Sequence, residues 1–173
     1  MAVPFKAPVK DITFGYEVID SYNILNKISE FSDFSEDIVI PTMEECAKFS
    51  EEVLAPINAI GDQQGATIDN GVVKMPQEFV DAYKKFAEAG WASISLPEEI
   101  GGGGQPITLS GGTLEILSTA NLAFGLAPGL SAGAISAINF HGSQEQKDTF
   151  LPKLVSGEWT GTMNLSEPQS GSD

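Results

Sequence analysis

The sequence of 173 residues contains no arginine, one cysteine and one histidine. Without arginine, no guanidinium group can hold a phosphate or carboxylate at two points, and the nine basic residues are all lysines. Cys46 has no partner for an internal disulfide, and with His141 it supplies too few ligands for a structural zinc site. Acidic residues number 24, and the net charge of -15 argues against nucleic-acid partners and anionic membranes.

The size and composition of the chain predict a folded domain with a real hydrophobic core. Hydrophobic residues make up 42% of the sequence, which excludes a disordered polar chain. The first ten residues contain two prolines and two lysines and no apolar run of the kind found in secretory signals. We therefore expect a cytoplasmic protein.

One long stretch, residues 116–144, carries no formal charge, and Gly125, Gly129 and Gly133 repeat at the spacing of small-residue helix contacts. A membrane-spanning helix is the alternative, but Pro128 and several serine, threonine and asparagine residues make the stretch too polar for that. We expect no membrane span. Instead the stretch predicts two buried helices, the second over residues 131–140, that pack closely through small side chains.

Residues 11–52 concentrate the acidic charge, with eleven acids against two lysines. This region is either a docking face for a basic partner or a solvated helix face. Apolar spacing predicts a helix over residues 16–29. The Thr42–Glu45 capping box, directly after Pro41, predicts the start of another helix. The predicted core face of that second helix consists of Met43, Cys46, Ala47, Val53 and Leu54.

The remaining patterns predict more helices and one hairpin. Asn70-Gly71 lies between short β-branched runs and indicates a two-residue hairpin turn. Further helices are predicted from Pro76 to Gly90, over residues 109–121, and from the Ser143–Gln146 capping box to Gly157 with an interruption at Pro152. Phe79, Val80, Tyr83 and Phe86 should be buried in the first of these. Gly101–Gly104 fits no nucleotide-binding pattern and is predicted to be a flexible turn.

From Trp159 the local pattern favours a strand, and the sequence ends a few residues later. We therefore predict a mainly α protein that ends at the first strand of a following β-domain. A strand without a partner cannot satisfy its backbone groups, so the chain is expected to be part of a longer one. The predicted divisions are an extension over residues 1–34, a helical domain over 35–157 and the start of the β-domain over 158–173.

The last residues, Leu165 to Asp173, combine a strand end with a Ser-Gly-Ser turn. A strand end offers backbone N–H groups, and a turn of small hydroxyl residues lets donors approach a phosphate closely without arginine. These features alone are compatible with an anion or cofactor turn, but they favour a surface loop.

Three ordered stretches together resemble the acyl-CoA dehydrogenase family. Residues 163–173, Met-Asn-Leu-Ser-Glu-Pro-Gln-Ser-Gly-Ser-Asp, are similar to that family's first signature. Residues 90–102, from Gly-Trp to Pro-Glu-Glu-Ile-Gly-Gly, and residues 142–154, from Gly-Ser-Gln-Glu-Gln-Lys to Leu-Pro-Lys-Leu, resemble the same family in the same order. The similarity covers residues 36–173, and the start of the chain resembles the extension of the long-subunit bacterial branch.

The resemblance implies a helical domain, a middle β-domain, a carboxy-terminal four-helix domain, FAD, and a homo-oligomer, either tetramer or dimer. It also implies α,β-dehydrogenation of an acyl-CoA, with hydride transfer to FAD and onward electron transfer to an electron-transferring flavoprotein. No catalytic residue is assigned within this chain, because the family's glutamate base belongs to the carboxy-terminal domain. The implied flavin-binding residues are Met163, Leu165, Ser166, Gly171 and Ser172, and Ser172 would also contact the substrate.

Two other functions stay open at this point. A non-catalytic helical interaction module would keep this fold without its chemistry. An acyl-CoA oxidase relative would use oxygen in place of the flavoprotein acceptor, and these residues do not separate it from a dehydrogenase.

Overall fold

The computed structural model describes residues 4–164 and 166–171. Within these ranges the architecture is a bundle of α-helices with one small hairpin, as predicted for a mainly α domain. The α-helices are α1 Val9–Val18, α2 Ser21–Leu25, α3 Glu36–Phe49, α4 Ala55–Gln64, α5 Gln77–Glu88, α6 Ile107–Ala120, α7 Leu122–His141 and α8 Gln144–Val155. Strands β1 Thr67–Asp69 and β2 Val72–Lys74 pair antiparallel.

Helices α3 and α4 form one continuous rod through a π-helical turn at Ser50–Leu54. The prediction that α3 starts at Thr42 is wrong, because it starts at Glu36 and Pro41 lies inside it. The Thr42 hydroxyl donates to the Ile38 carbonyl at 2.7 Å instead of capping. Burial of Val39 and Met43 on either side of Pro41 holds the helix together despite the missing hydrogen bond.

The main hydrophobic core lies between α1, α3, α4, α5 and α6. Of the predicted core face, Met43, Cys46, Ala47 and Leu54 are buried and Val53 is half-buried. The Cys46 Sγ donates to the Thr113 carbonyl at 3.6 Å, and burial raises the pKa of this thiol to about 12. A buried thiol that stays protonated is chemically inert, so Cys46 serves as a core side chain.

The amino-terminal segment, residues 5–34, packs onto the same core. The helix predicted over 16–29 is instead broken after α1, where Asp20 adopts a left-handed conformation with φ of 56°. The buried Tyr16 hydroxyl donates to the Thr108 carbonyl at 2.6 Å, and the Ala7 amide donates to Glu51 Oε1 at 3.0 Å. The predicted extension and the predicted domain therefore share one core, and the boundary between them stays a prediction.

The hairpin and α5 follow the sequence patterns closely. Asn70 and Gly71 occupy the turn with φ of 49° and 80°, the left-handed values that favour an Asn-Gly pair. Phe79 and Phe86 are buried as predicted, and Tyr83 is half-buried. Val80 is exposed to 36%, so the prediction that it is buried is wrong.

The glycine-rich stretch 101–104 is not a free turn. The Gly103 amide donates to the Ser93 carbonyl at 2.9 Å, and the Gly104 amide donates to the Leu96 carbonyl at 2.9 Å. A Cβ on Gly102 would lie 2.1 Å from the Leu96 carbonyl oxygen. The glycines are needed because two backbone segments lie against each other here.

Helix α7 differs most from its prediction. The helix predicted over residues 131–140 instead begins nine residues earlier, at Leu122, and spans 20 residues, with Pro128 inside it. By length and composition alone it could span a membrane, with a mean hydropathy of 1.4, yet it packs against α6 and α8. Only 22% of an apolar stretch of 18 residues within α7 is buried, and large side chains such as Leu122, Leu126 and Phe140 are exposed.

Candidate functional site

Helix α8 leads into the candidate site. The predicted capping box is confirmed, because Ser143 Oγ accepts from the Gln146 amide and Gln146 Oε1 accepts from the Ser143 amide. The predicted interruption at Pro152 is wrong, since α8 continues through it to Val155. Gly157 follows in a left-handed conformation with φ of 76°, and a Cβ at this position would lie 2.8 Å from the Ala87 Cβ of α5.

The segment after Gly157 crosses α7 on its way to the motif. The Trp159 amide donates to the Lys153 carbonyl at 2.9 Å, and the Gly161 amide donates to Ser131 Oγ at 3.0 Å. Among the described residues 159–164 there is no β-strand, so the predicted strand is absent there. The described part of the chain offers this segment no neighbouring strand to complete a ladder of hydrogen bonds.

A tight turn follows at Glu167–Ser170. The Glu167 amide donates to the Ser170 carbonyl at 2.9 Å, and the Ser170 amide donates to the Glu167 carbonyl at 3.1 Å. The Gln169 side-chain amide also donates to the Glu167 carboxylate. These hydrogen bonds hold the motif as a closed turn that leaves Gly171 at its end.

The structure describes three of the five predicted flavin-binding residues. Met163, Ser166 and Gly171 are all exposed, with Met163 exposed to 59%. Leu165 and Ser172 lie outside the described residues. The three described residues lie on one short segment, and whether any of the five contacts a flavin stays a prediction.

The donor set of this segment fits a flavin and its phosphates. It consists of backbone amides and a serine hydroxyl, which can donate to ring acceptors and phosphate oxygens. A Cβ on Gly171 would meet nothing within 4 Å, so the end of the turn is open to a ligand. Among the residues the structure describes, no group of three His, Cys, Asp or Glu side chains could hold a metal ion.

The structure also contains two clefts that sequence reasoning missed. One, of about 600 Å³, lies between α5, the start of α7 and residues 156–158, and Tyr83 and Phe124 line it. The other, of about 240 Å³, lies between α6, α7 and residues 91–96, and Gly125 and Gly129 line it. The repeating glycines of α7 were the available signal for the second cleft, because they leave room beside the helix.

Comparison with known proteins assigns the family. A family model described as acyl-CoA dehydrogenase, N-terminal domain, matches residues 41–158. The chain therefore belongs to the acyl-CoA dehydrogenase family and contains its amino-terminal helical domain.

Individual relatives agree with this assignment. The chain is 41% identical over 169 residues to 3-methylmercaptopropionyl-CoA dehydrogenase of Ruegeria pomeroyi, covering 98% of this chain and 29% of that protein. It is 31% identical to butyryl-CoA dehydrogenase of Syntrophomonas wolfei, covering 95% of this chain and 28% of that protein. A solved acyl-CoA dehydrogenase from Bacillus anthracis, complexed with FAD, superposes with a TM-score of 0.66 at 29% identity, covering 82% of this chain and 23% of that one.

The chain thus spans less than a third of the length of these relatives.

Proposed function

We propose that this chain is the amino-terminal part of a flavin-dependent enzyme that dehydrogenates an acyl-CoA thioester at its α and β carbons. The observation that carries the proposal is the segment that follows the helical domain, in which Met163, Ser166 and Gly171 are exposed and the space beside Gly171 is open. FAD, when bound, would accept the hydride from the β-carbon. The base that removes the α-proton is assigned to no residue of this chain.

Within that enzyme the chain's own residues would bind and orient the cofactor. The Leu165 and Ser166 amides and the Ser166 hydroxyl would donate to acceptors on the flavin edge, against which Met163 would pack. Gly171 would let the backbone approach the pyrophosphate, and Ser172 would donate to a phosphate oxygen and contact the substrate's thioester arm. All of these donors are neutral, as expected for a chain that contains no arginine.

The activity is tested on the full-length protein that contains this chain. The protein should purify with a flavin spectrum that an acyl-CoA bleaches under anaerobic conditions. We would test 3-methylmercaptopropionyl-CoA first, then butyryl-CoA and isovaleryl-CoA, because relatives that act on these thioesters match this chain. Absence of flavin, or a flavin that no thioester reduces, would favour the non-catalytic helical module.

The electron acceptor is a separate proposal. We expect the reduced flavin to pass electrons to an electron-transferring flavoprotein, with little reoxidation by oxygen. Rapid oxygen consumption during turnover would instead identify an oxidase.

The location and assembly are also proposals. A cytoplasmic protein is supported by the single buried cysteine, and a homo-oligomer by the exposed apolar face of α7. Measuring the molecular mass of the full-length protein in solution tests the proposal of a homo-oligomer. A role in fatty acid metabolism would follow from the acyl-CoA activity.

Three variants of the full-length protein test the positions of the site residues. Gly171→Val should release FAD fastest, because a β-branched side chain obstructs approach of the backbone. Ser172→Ala removes one charge-assisted hydrogen bond of about 1.5–3 kcal/mol and should weaken FAD retention about ten- to a hundredfold. Ser170→Ala keeps both backbone hydrogen bonds to Glu167 and is the matched control. Equal flavin loss from Ser170→Ala and Ser172→Ala would show that the assignment is displaced along the sequence.

The chain by itself is a further test of the same proposal. The described part of the motif contains one short turn, at Glu167–Ser170, and so little surface cannot bury enough of FAD to offset the cost of binding. The isolated chain should therefore purify colourless and show no activity. A stoichiometric flavin spectrum from the chain alone would contradict this.

A further inference from the structure

A single serine hydroxyl joins α7 to the segment that precedes the candidate site. Ser131 is exposed to only 5%, and its Oγ donates to the Ala127 carbonyl at 3.1 Å. The same oxygen accepts from the Gly161 amide at 3.0 Å. The hydroxyl therefore uses its donor within the helix and its acceptor on the crossing segment.

Gly161 makes this close approach possible. A Cβ on Gly161 would lie 2.5 Å from the Ala134 Cβ and 3.2 Å from the Ser131 Cα. Real Cβ atoms essentially never come within 3.0 Å of a neighbour, so any side chain at this position would push the segment away from α7. The requirement is for space, because the backbone of Gly161 is not in the left-handed region.

The segment is also fixed two residues earlier. The Trp159 amide donates to the Lys153 carbonyl, and the Lys153 ammonium lies 4.6 Å from the centre of the Trp159 ring. With Trp159 held on α8 and Gly161 held on α7, the path of the chain is set just before Met163. The first residue proposed to meet the flavin thus follows a segment fixed at two points.

We propose that Ser131 and Gly161 are positioning residues for the flavin-binding segment. They lie outside the motif and act through it, by fixing the distance and direction at which residues 163–171 leave the helical domain. This inference rests on the proposed flavin function. Its consequence is that removing either feature should loosen FAD while the helical domain stays folded.

The test uses the full-length protein with its flavin and compares Ser131→Ala, Ser131→Cys and Gly161→Ala. Cysteine keeps the shape of serine with a somewhat larger terminal atom and accepts a hydrogen bond only weakly, so it fills the site while weakening the hydrogen bond. The matched controls are Ser136→Ala, an exposed serine on the same helix, and Gly15→Ala, a helical glycine whose Cβ would meet nothing within 4 Å.

FAD release, followed by flavin fluorescence, should accelerate about tenfold in Ser131→Ala and Ser131→Cys, as expected for the loss of one hydrogen bond to a partly buried amide. Gly161→Ala should release FAD at least as fast. The Ser131→Ala/Gly161→Ala double variant should be no worse than the more damaged single variant, because both changes break one contact. The visible flavin band should change shape in the same variants and in neither control.

The outcomes separate the two proposals. If the wild-type protein holds flavin and the three variants release it at the wild-type rate, the positioning role is wrong and the flavin function stands. If the variants lower only the melting temperature of the flavin-free protein, Ser131 and Gly161 are merely structural and the inference is also overturned. A wild-type protein that holds no flavin would overturn both proposals.

Discussion

The helices α1 to α6 and the helix α7 use their apolar residues in opposite ways. The first group buries large side chains such as Met43, Leu54, Leu109 and Ile116 completely. Over its 20 residues, α7 buries only Phe124, Ser131 and Ile135, while Leu122 and Leu126 are each exposed to 63%. The comparison shows that the first group forms its own hydrophobic core, whereas α7 leaves an apolar face exposed.

The largest expected effect comes from truncating one apolar side chain in each region. Ile116→Ala in the core should destabilise the chain by about 2–5 kcal/mol, through lost burial and the cavity left behind. Leu126→Ala on α7 should change stability by less than about 0.5 kcal/mol. Urea unfolding of both variants, at a protein concentration low enough to keep the chain monomeric, tests the comparison, and equal losses would show that Leu126 is buried within the folded monomer.

The glycine-rich stretch gives a smaller effect with its own control. Gly102→Ala would force a Cβ against the Leu96 carbonyl oxygen and should cost about 1–3 kcal/mol. Gly111→Ala, at a position in α6 where a Cβ meets nothing within 4 Å, should stabilise by about 0.5–1 kcal/mol. Thermal unfolding distinguishes them by opposite signs, and a harmless Gly102→Ala would mean that this stretch is loose.

Alkaline pH should weaken the core. Burial raises the pKa of Tyr16 from 10.0 to about 12, and that of Cys46 from 9.0 to about 12. Between these values the unfolded chain loses protons that the folded chain keeps, so stability falls as pH rises from about 9 to 12.

Tyr16→Phe should lower the free energy of unfolding by about 1 kcal/mol at pH 7, because the hydrogen bond to the Thr108 carbonyl is lost. It should also reduce the fall in the free energy of unfolding as the pH rises. Urea unfolding across this pH range measures both effects. An unchanged slope in the variant would contradict a buried, protonated Tyr16.

The smallest effect on stability and the clearest effect on association should come from charging α7. The isolated chain should self-associate through this apolar face, despite its net charge of -15. Leu126→Glu should shift sedimentation toward the monomer with little change in unfolding. Ile24→Glu, which charges an exposed isoleucine on α2, is the control. A wild-type chain that sediments as a monomer at high concentration would show that the exposed apolar face of α7 does not drive self-association.

Local chemistry predicted the hairpin and the start of α8, because both depend on a few adjacent residues. The Asn70-Gly71 turn and the Ser143–Gln146 capping box appear as expected. The same reasoning failed at prolines, since Pro41, Pro128 and Pro152 all lie inside helices. Packing against neighbouring helices offsets a lost hydrogen bond at these positions, and a sequence pattern does not reveal such neighbours.

The sequence motif of the candidate site could be recognised, but its contacts with the rest of the fold could not be predicted. The resemblance identified residues 163–173, but the hydrogen bond from Gly161 to Ser131 spans thirty residues of sequence and has no local signature. The clefts beside α7 were missed because each is formed by elements that are distant in sequence, although the repeating glycines of α7 were a local signal for the second cleft. Whether Met163, Leu165, Ser166, Gly171 and Ser172 bind flavin stays a prediction.

The buried Cys46 can serve as a chemical probe of how often the hydrophobic core opens. The thiol is fully buried, and thiolate is the form that alkylating reagents attack. With a pKa of about 12, almost none of it is ionised at neutral pH while the chain is folded. Because Cys46 is the single cysteine in 173 residues, every alkylated chain is one in which the core has opened and exposed this thiol to water. The rate of Cys46 labelling would therefore measure how often the packing of α3 against α6 opens.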